Sequence, residues 1–183
     1  MEWVAFVTAV AFIGAMAFLA IFMTTERRVF DALANWCFLV QYAGLGALIV
    51  ALHRDYVDAA PLVWVFTLVG MAGVIVSLVG QLSTMFFGVS FERIAVRQTA
   101  AFGGVLVWIA GIGVVVLLEG GLPDGLAWTG LGATVVAILL IGLMSRDPAL
   151  MRGARKPTAT EMAFAMLPIL AIPVWLIWLG VEL

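Results

Sequence analysis

Apolar residues do not alternate with polar ones along this chain. They come in six long blocks, at 3–23, 33–52, 61–87, 99–118, 126–145 and 161–180, each bounded by charges or by glycine and proline. A hydrocarbon layer of about 30 Å takes roughly 20 helical residues to cross, so each block is predicted to be a transmembrane helix. No block has an ionisable residue near its centre. A central charge would cost about 2.5–3.5 kcal/mol on insertion scales, so its absence fits plain spans. The expected fold class is therefore all-α, a polytopic bundle of six transmembrane helices forming one domain over 1–183.

Local signals sharpen the block edges. Thr158-Ala-Thr-Glu161 after Pro157 reads as a capping box opening the sixth helix. Gly120-Gly121-Leu-Pro123-Asp124-Gly125 reads as a tight turn between the fourth and fifth. Pro168 and Pro173 free backbone carbonyls in the sixth helix, which predicts a kink or break there.

Composition agrees with a lipid environment, since 65% of the 183 residues are hydrophobic, 11% are charged and mean hydropathy is +1.20. Soluble domains are nearer half apolar and a quarter charged. Charge placement adds an orientation. Eight of the nine basic residues fall in the first, third and fifth loops (Arg27, Arg28, Arg93, Arg97, Arg146, Arg152, Arg155 and Lys156), and only Arg54 lies in the second. The positive-inside rule puts those three loops in the cytoplasm and both termini outside, in a prokaryotic-type inner membrane. Met1-Glu2 offers no basic segment before the first block, so that block is expected to stay as an anchor rather than serve as a cleaved signal.

Few polar residues lie inside the blocks, and they are patterned. In the third, Gly70, Gly73, Ser77, Gln81, Thr84 and Gly88 fall on one helical stripe. In the second, Asn35, Tyr42 and Gly46 share one face, and Cys37, Gln41 and Gly44 share the adjacent one. Small residues allow close helix approach in lipid, and an interhelical hydrogen bond there is worth about 0.6 kcal/mol. The stripe reads first as packing between the second and third helices. Its other reading is a polar vestibule, opening to the cytoplasm, for a small neutral solute. The candidate intramembrane polar face is Asn35, Gln41, Tyr42, Ser77, Gln81, Thr84 and Trp108. Trp3, Trp64, Trp128, Trp175 and Trp178 fall toward outer helix ends, as an aromatic belt would. Trp108 falls near mid-membrane, and its indole N–H calls for a partner from a neighbouring helix or else from a ligand.

Several chemistries lack their residues. Cys37 is the single cysteine, and His53, expected in an outer loop, is the single histidine. Neither paired haem ligands nor a zinc or di-iron cluster can be assembled inside the membrane. Ser77 and Ser83 have no base beside them, and Lys156 is the single lysine. Proton-coupled transport usually places Asp, Glu or His within the bilayer, and none is there. The sequence therefore predicts no catalytic, metal or cofactor site and no enzyme. The expected function is a non-catalytic accessory or assembly subunit packing against other membrane proteins or a second copy. The alternative is a transporter or binding protein for a small neutral or lipid-like solute. Arg152, Arg155 and Lys156 form a basic loop suited to anionic lipid, and nothing suggests nucleic acid.

Overall fold

The computed structural model describes residues 1–89, 91–145 and 159–183. Their secondary structure is all helical: α1 Glu2–Thr25, α2 Arg28–Tyr56, α3 Val63–Phe87, α4 Phe91–Glu119, α5 Asp124–Ser145 and α6 Ala159–Glu182. Side-chain placement in α6 is described from Leu170 onward. Each helix packs on the next in the chain, and α6 packs back on α1, so the six form a closed ring. Four of them, α1 to α4, are long and apolar enough to cross a membrane. The apolar stretches described for α5 and α6 are shorter, Asp124–Leu139 and Leu170–Glu182.

Every apolar block becomes a helix, but two helices outrun their blocks by more than a turn. α2 begins five residues before its apolar block and continues four beyond it, so His53 belongs to its last turn rather than to a loop. α4 begins at Phe91, eight residues early. Block edges mark where polar side chains start, whereas backbone hydrogen bonding does not depend on side-chain polarity and runs on past them. α6 runs as one helix through Pro168 and Pro173, so the expected break is not there. Thr158, the first residue of the expected capping box, lies outside the described residues, as do Arg152, Arg155 and Lys156.

The connections are short. α1 ends on Glu26 in the left-handed region (φ 54°), whose N–H reaches Phe22 O at 2.7 Å. Gly120 (φ 77°) and Gly121 (φ 91°) make the turn before Pro123, in a conformation that residues with a Cβ rarely adopt. The Tyr56 hydroxyl donates to Gly120 O at 3.1 Å and ties the end of α2 to this turn.

Close approach holds α3 to α4. A Cβ on Gly73 would strike Ala101 O, and one on Gly104 would come within 3.0 Å of Val69 O. Without an aqueous hydrophobic effect between lipid-embedded helices, such contact supplies the dispersion energy that joins them. Inside the ring, Leu45, Leu48, Ile49 and Leu52 of α2 meet Leu106, Ile109 and Ile112 of α4 and Trp175, Leu176 and Leu179 of α6 in one apolar core.

Candidate functional site in the ring interior

The two faces of α2 serve two neighbours. Asn35, Tyr42 and Gly46 turn to α3: Gln81 Nε2 donates to Asn35 Oδ1 at 2.6 Å, and a Cβ on Gly46 would lie 3.5 Å from Val74. Tyr42 lies beside Ser77, although Ser77 Oγ makes no bond of hydrogen-bonding geometry. Cys37 and Gly44 turn to α1, where Gly14 and Thr8 pack against them. Thr84 caps only its own helix, donating to Gly80 O at 3.2 Å.

Gln41 lies between these faces and points inward. It sits on one helical line with Leu45, Leu48 and Leu52, all buried. Ser77 continues the line of Val63 and Gly70 on α3 in the same way. On α4 the line is Gln98, Val105, Ile109, Ile112 and Val116. Three successive helices thus turn an apolar stripe to the ring interior and end it with a polar residue. All three polar residues fall toward the same end, the one carrying Arg27, Arg28, Arg93 and Arg97.

Contacts between the helices place these residues at one depth. Gln98 Nε2 donates to the Ser77 backbone carbonyl at 3.1 Å, and its amide nitrogen packs onto Gly80. Tyr42, next to Gln41, faces Ser77. Ser77 is ten residues from the end of α3, about 15 Å at the helical rise. On α1, Thr8 lies opposite Gly44 and Gly14 opposite Cys37, which sets the buried Ala11 and Phe12 at the same level.

This layer is poorly satisfied. Gln41 Oε1, Ser77 Oγ and Gln98 Oε1 are buried without a partner. Gln41 is 2% exposed and Ser77 0%. The orientation of the Gln98 amide is fixed, because its nitrogen must face the Ser77 carbonyl. A buried polar atom left unpaired costs about 1–3 kcal/mol.

One apolar tier separates this layer from Trp108, which is fully buried. Gly70 makes room for it: a Cβ there would come within 2.7 Å of Trp108 Cβ. Its ring meets Trp175 edge-on, with centroids 6.1 Å apart. Trp175 Nε1 donates to Leu126 O at 3.1 Å. Trp108 Nε1 has no partner, so the helix-borne partner expected for it is not found. Trp175 is also not a belt residue, being only 2% exposed. The sequence put it toward a helix end, and neither its place beside Trp108 nor its rotation toward the core was readable there.

Gln98, Thr134 and Trp175 are absent from the sequence-derived polar face. Gln98 sits one residue outside the apolar block that begins at Thr99. Extending the buried line of α4 by one more repeat below Val105 would have found it. Thr134 donates to Leu106 O at 3.2 Å, clipping α5 to α4. Two surface recesses, of about 570 and 320 Å³, lie at the opposite end of the ring around Arg54 and Tyr56, and neither is lined by the polar layer. Among the described residues, no group of three His, Cys, Asp or Glu side chains could hold a metal.

Comparison of the chain with protein families, with characterised proteins and with solved structures gives no match.

Proposed function

We propose that this chain is a six-span integral membrane protein of a prokaryotic-type inner membrane, non-catalytic, and an accessory or assembly subunit that packs against other membrane proteins. The two ends of the chain lie outside and the basic loops inside, on the charge asymmetry of the sequence. α5 and α6 complete the set of spans, and Arg152, Arg155 and Lys156 meet anionic headgroups.

The observation that carries this reading is the closed middle of the ring. Trp108 and Trp175, edge to face and both buried, fill the interior at mid-height. A solute passage would need that tier to open, and the surrounding α3–α4 crossing at Gly73 leaves the two backbones no slack. The outer surface, by contrast, has room for another helix. On α5, Trp128, Val135 and Leu139 are exposed on one face, and Gly132 between them leaves its backbone uncovered, with nothing within 4 Å of an added Cβ. Glycine on an exposed membrane face permits close helix docking.

The test is purification from native membranes into lipid nanodiscs, followed by mass spectrometry, for the wild type and Gly132→Leu. A protein partner or second copy should co-purify stoichiometrically with the wild type. The substitution should release it while leaving the melting temperature of the isolated chain unchanged. A solitary wild-type chain would sink the accessory reading.

A further inference from the structure

We propose that the polar layer of Gln41, Ser77 and Gln98 is a binding site for a small uncharged molecule rich in hydrogen-bond donors, of the polyol class. This goes beyond the accessory role and stands on separate observations.

The unpartnered atoms define the ligand chemistry. Gln41 Oε1, Gln98 Oε1 and Ser77 Oγ all accept, and none receives a hydrogen from the protein. A molecule that only accepts, such as a ketone or an ether, would leave them unpaired. One that offers several hydroxyl hydrogens would satisfy them together. A charged ligand does not fit, because no Asp, Glu, Lys or Arg is buried among the described side chains to compensate it. The hydroxyls of a polyol both donate and accept, so the ligand can also receive a hydrogen from the Ser77 hydroxyl.

Geometry closes one side of the site. Toward the opposite end, the buried Leu45, Val105, Trp108 and Trp175 close the ring above the layer. Toward the basic end, Gln98 lies seven residues from the start of α4, about 10 Å along the helix. A ligand that reaches the layer from the side of Arg93 and Arg97 stops beneath the tryptophan tier instead of crossing it. The protein would hold such a molecule, not conduct it.

Ser77→Ala is the informative variant. Ser77 Oγ makes no bond of hydrogen-bonding geometry, with Tyr42 the side chain beside it, so removing it disturbs the fold little. The experiment measures radiolabelled glycerol bound to the full chain in phosphatidylcholine nanodiscs prepared without glycerol. Saturable binding is expected, displaced by unlabelled erythritol and not by n-propanol. Ser77→Ala and Gln98→Leu should each weaken it about fivefold to tenfold, the scale of one neutral hydrogen bond. Thr134→Val, at the α4–α5 clip, should leave it unchanged. Absence of saturable binding by folded, monodisperse protein would overturn the proposal and leave the layer to water alone. Binding that survives both Ser77→Ala and Gln98→Leu would overturn it too, since the molecule would then sit elsewhere. Partner co-purification does not enter either result, so this proposal and the accessory reading can fail independently.

Discussion

The two ends of the ring handle buried polarity in opposite ways. At the end away from the basic loops, buried polar groups are few and, Trp108 Nε1 apart, those described meet a partner. His53 Nδ1 lies 3.0 Å from Thr67 Oγ1 beneath the edge of Trp64, Tyr56 holds Gly120, and Trp175 holds Leu126. These links run from helix to neighbouring helix or turn and act as staples. At the basic end two such links, Gln81 to Asn35 and Gln98 to the Ser77 carbonyl, stand beside three buried acceptors without donors. The same residue types make a finished seam at one end and an unfinished one at the other. Where lipid surrounds a bundle and water is scarce, unfinished polarity costs stability, so the two ends contribute unequally to holding the bundle together.

The sharpest way to break this contrast is to empty the finished end. Trp175→Ala removes the largest side chain shared by α4, α5 and α6, and the expected loss is about 3–5 kcal/mol, the range for a deleted core aromatic. Thermal unfolding in detergent reads it. A loss below about 1 kcal/mol would show that the tryptophan tier is not a close-packed layer.

Next in size, and opposite in sign, is Gln41→Leu at the unfinished end. Replacing an unpaired buried amide by an apolar group of similar volume should raise ligand-free stability by about 1 kcal/mol. A fall of the same size would mean that Gln41 Oε1 has a partner in the membrane after all, and the two ends would then be alike.

The smallest effect belongs to the side-chain pair that staples the basic end. Gln81→Leu should lower stability by about 0.6 kcal/mol, the mean for an interhelical hydrogen bond in lipid. Asn35→Leu with Gln81→Leu should cost little more than either alone in a double-mutant cycle. Additive losses would show that the two side chains do not act through their shared bond.

Much of this frame was legible in the sequence. The six apolar blocks become the six helices, because block length and glycine or proline punctuation act on each segment locally. The division of α2 into two faces was also readable, since Asn35, Tyr42 and Gly46 repeat at helical spacing and so do Cys37 and Gly44. What stayed hidden depends on rotation. When nearly every position of a helix is apolar, no periodic contrast says which side turns inward. Trp175 therefore read as a belt residue at a helix end, although it shares an inward line with Ile172 and Leu179. Gln98 was hidden for a different reason, because a residue just beyond an apolar block reads as a flank. Its place in the interior depends on α4 starting eight residues before the block does.

The contact of α6 with α1 has a consequence in time. Near the ends of the two helices, Gly180 packs on Ala5 and Phe6, so the last of the six helices to be made completes a circle begun by the first of the six. Until it arrives, five helices form an open arc, and the inward faces of α2 and α4 look out onto lipid tails or a chaperoning surface. Neighbouring pairs such as α1–α2 and α3–α4 can form as soon as they are made, since their partners are adjacent in the chain. Trp108 cannot meet Trp175 until α6 has been made. The interior of the ring is therefore complete only once α6 arrives, and a ribosome that stalls before residue 159 leaves five helices with a surface where their core should be.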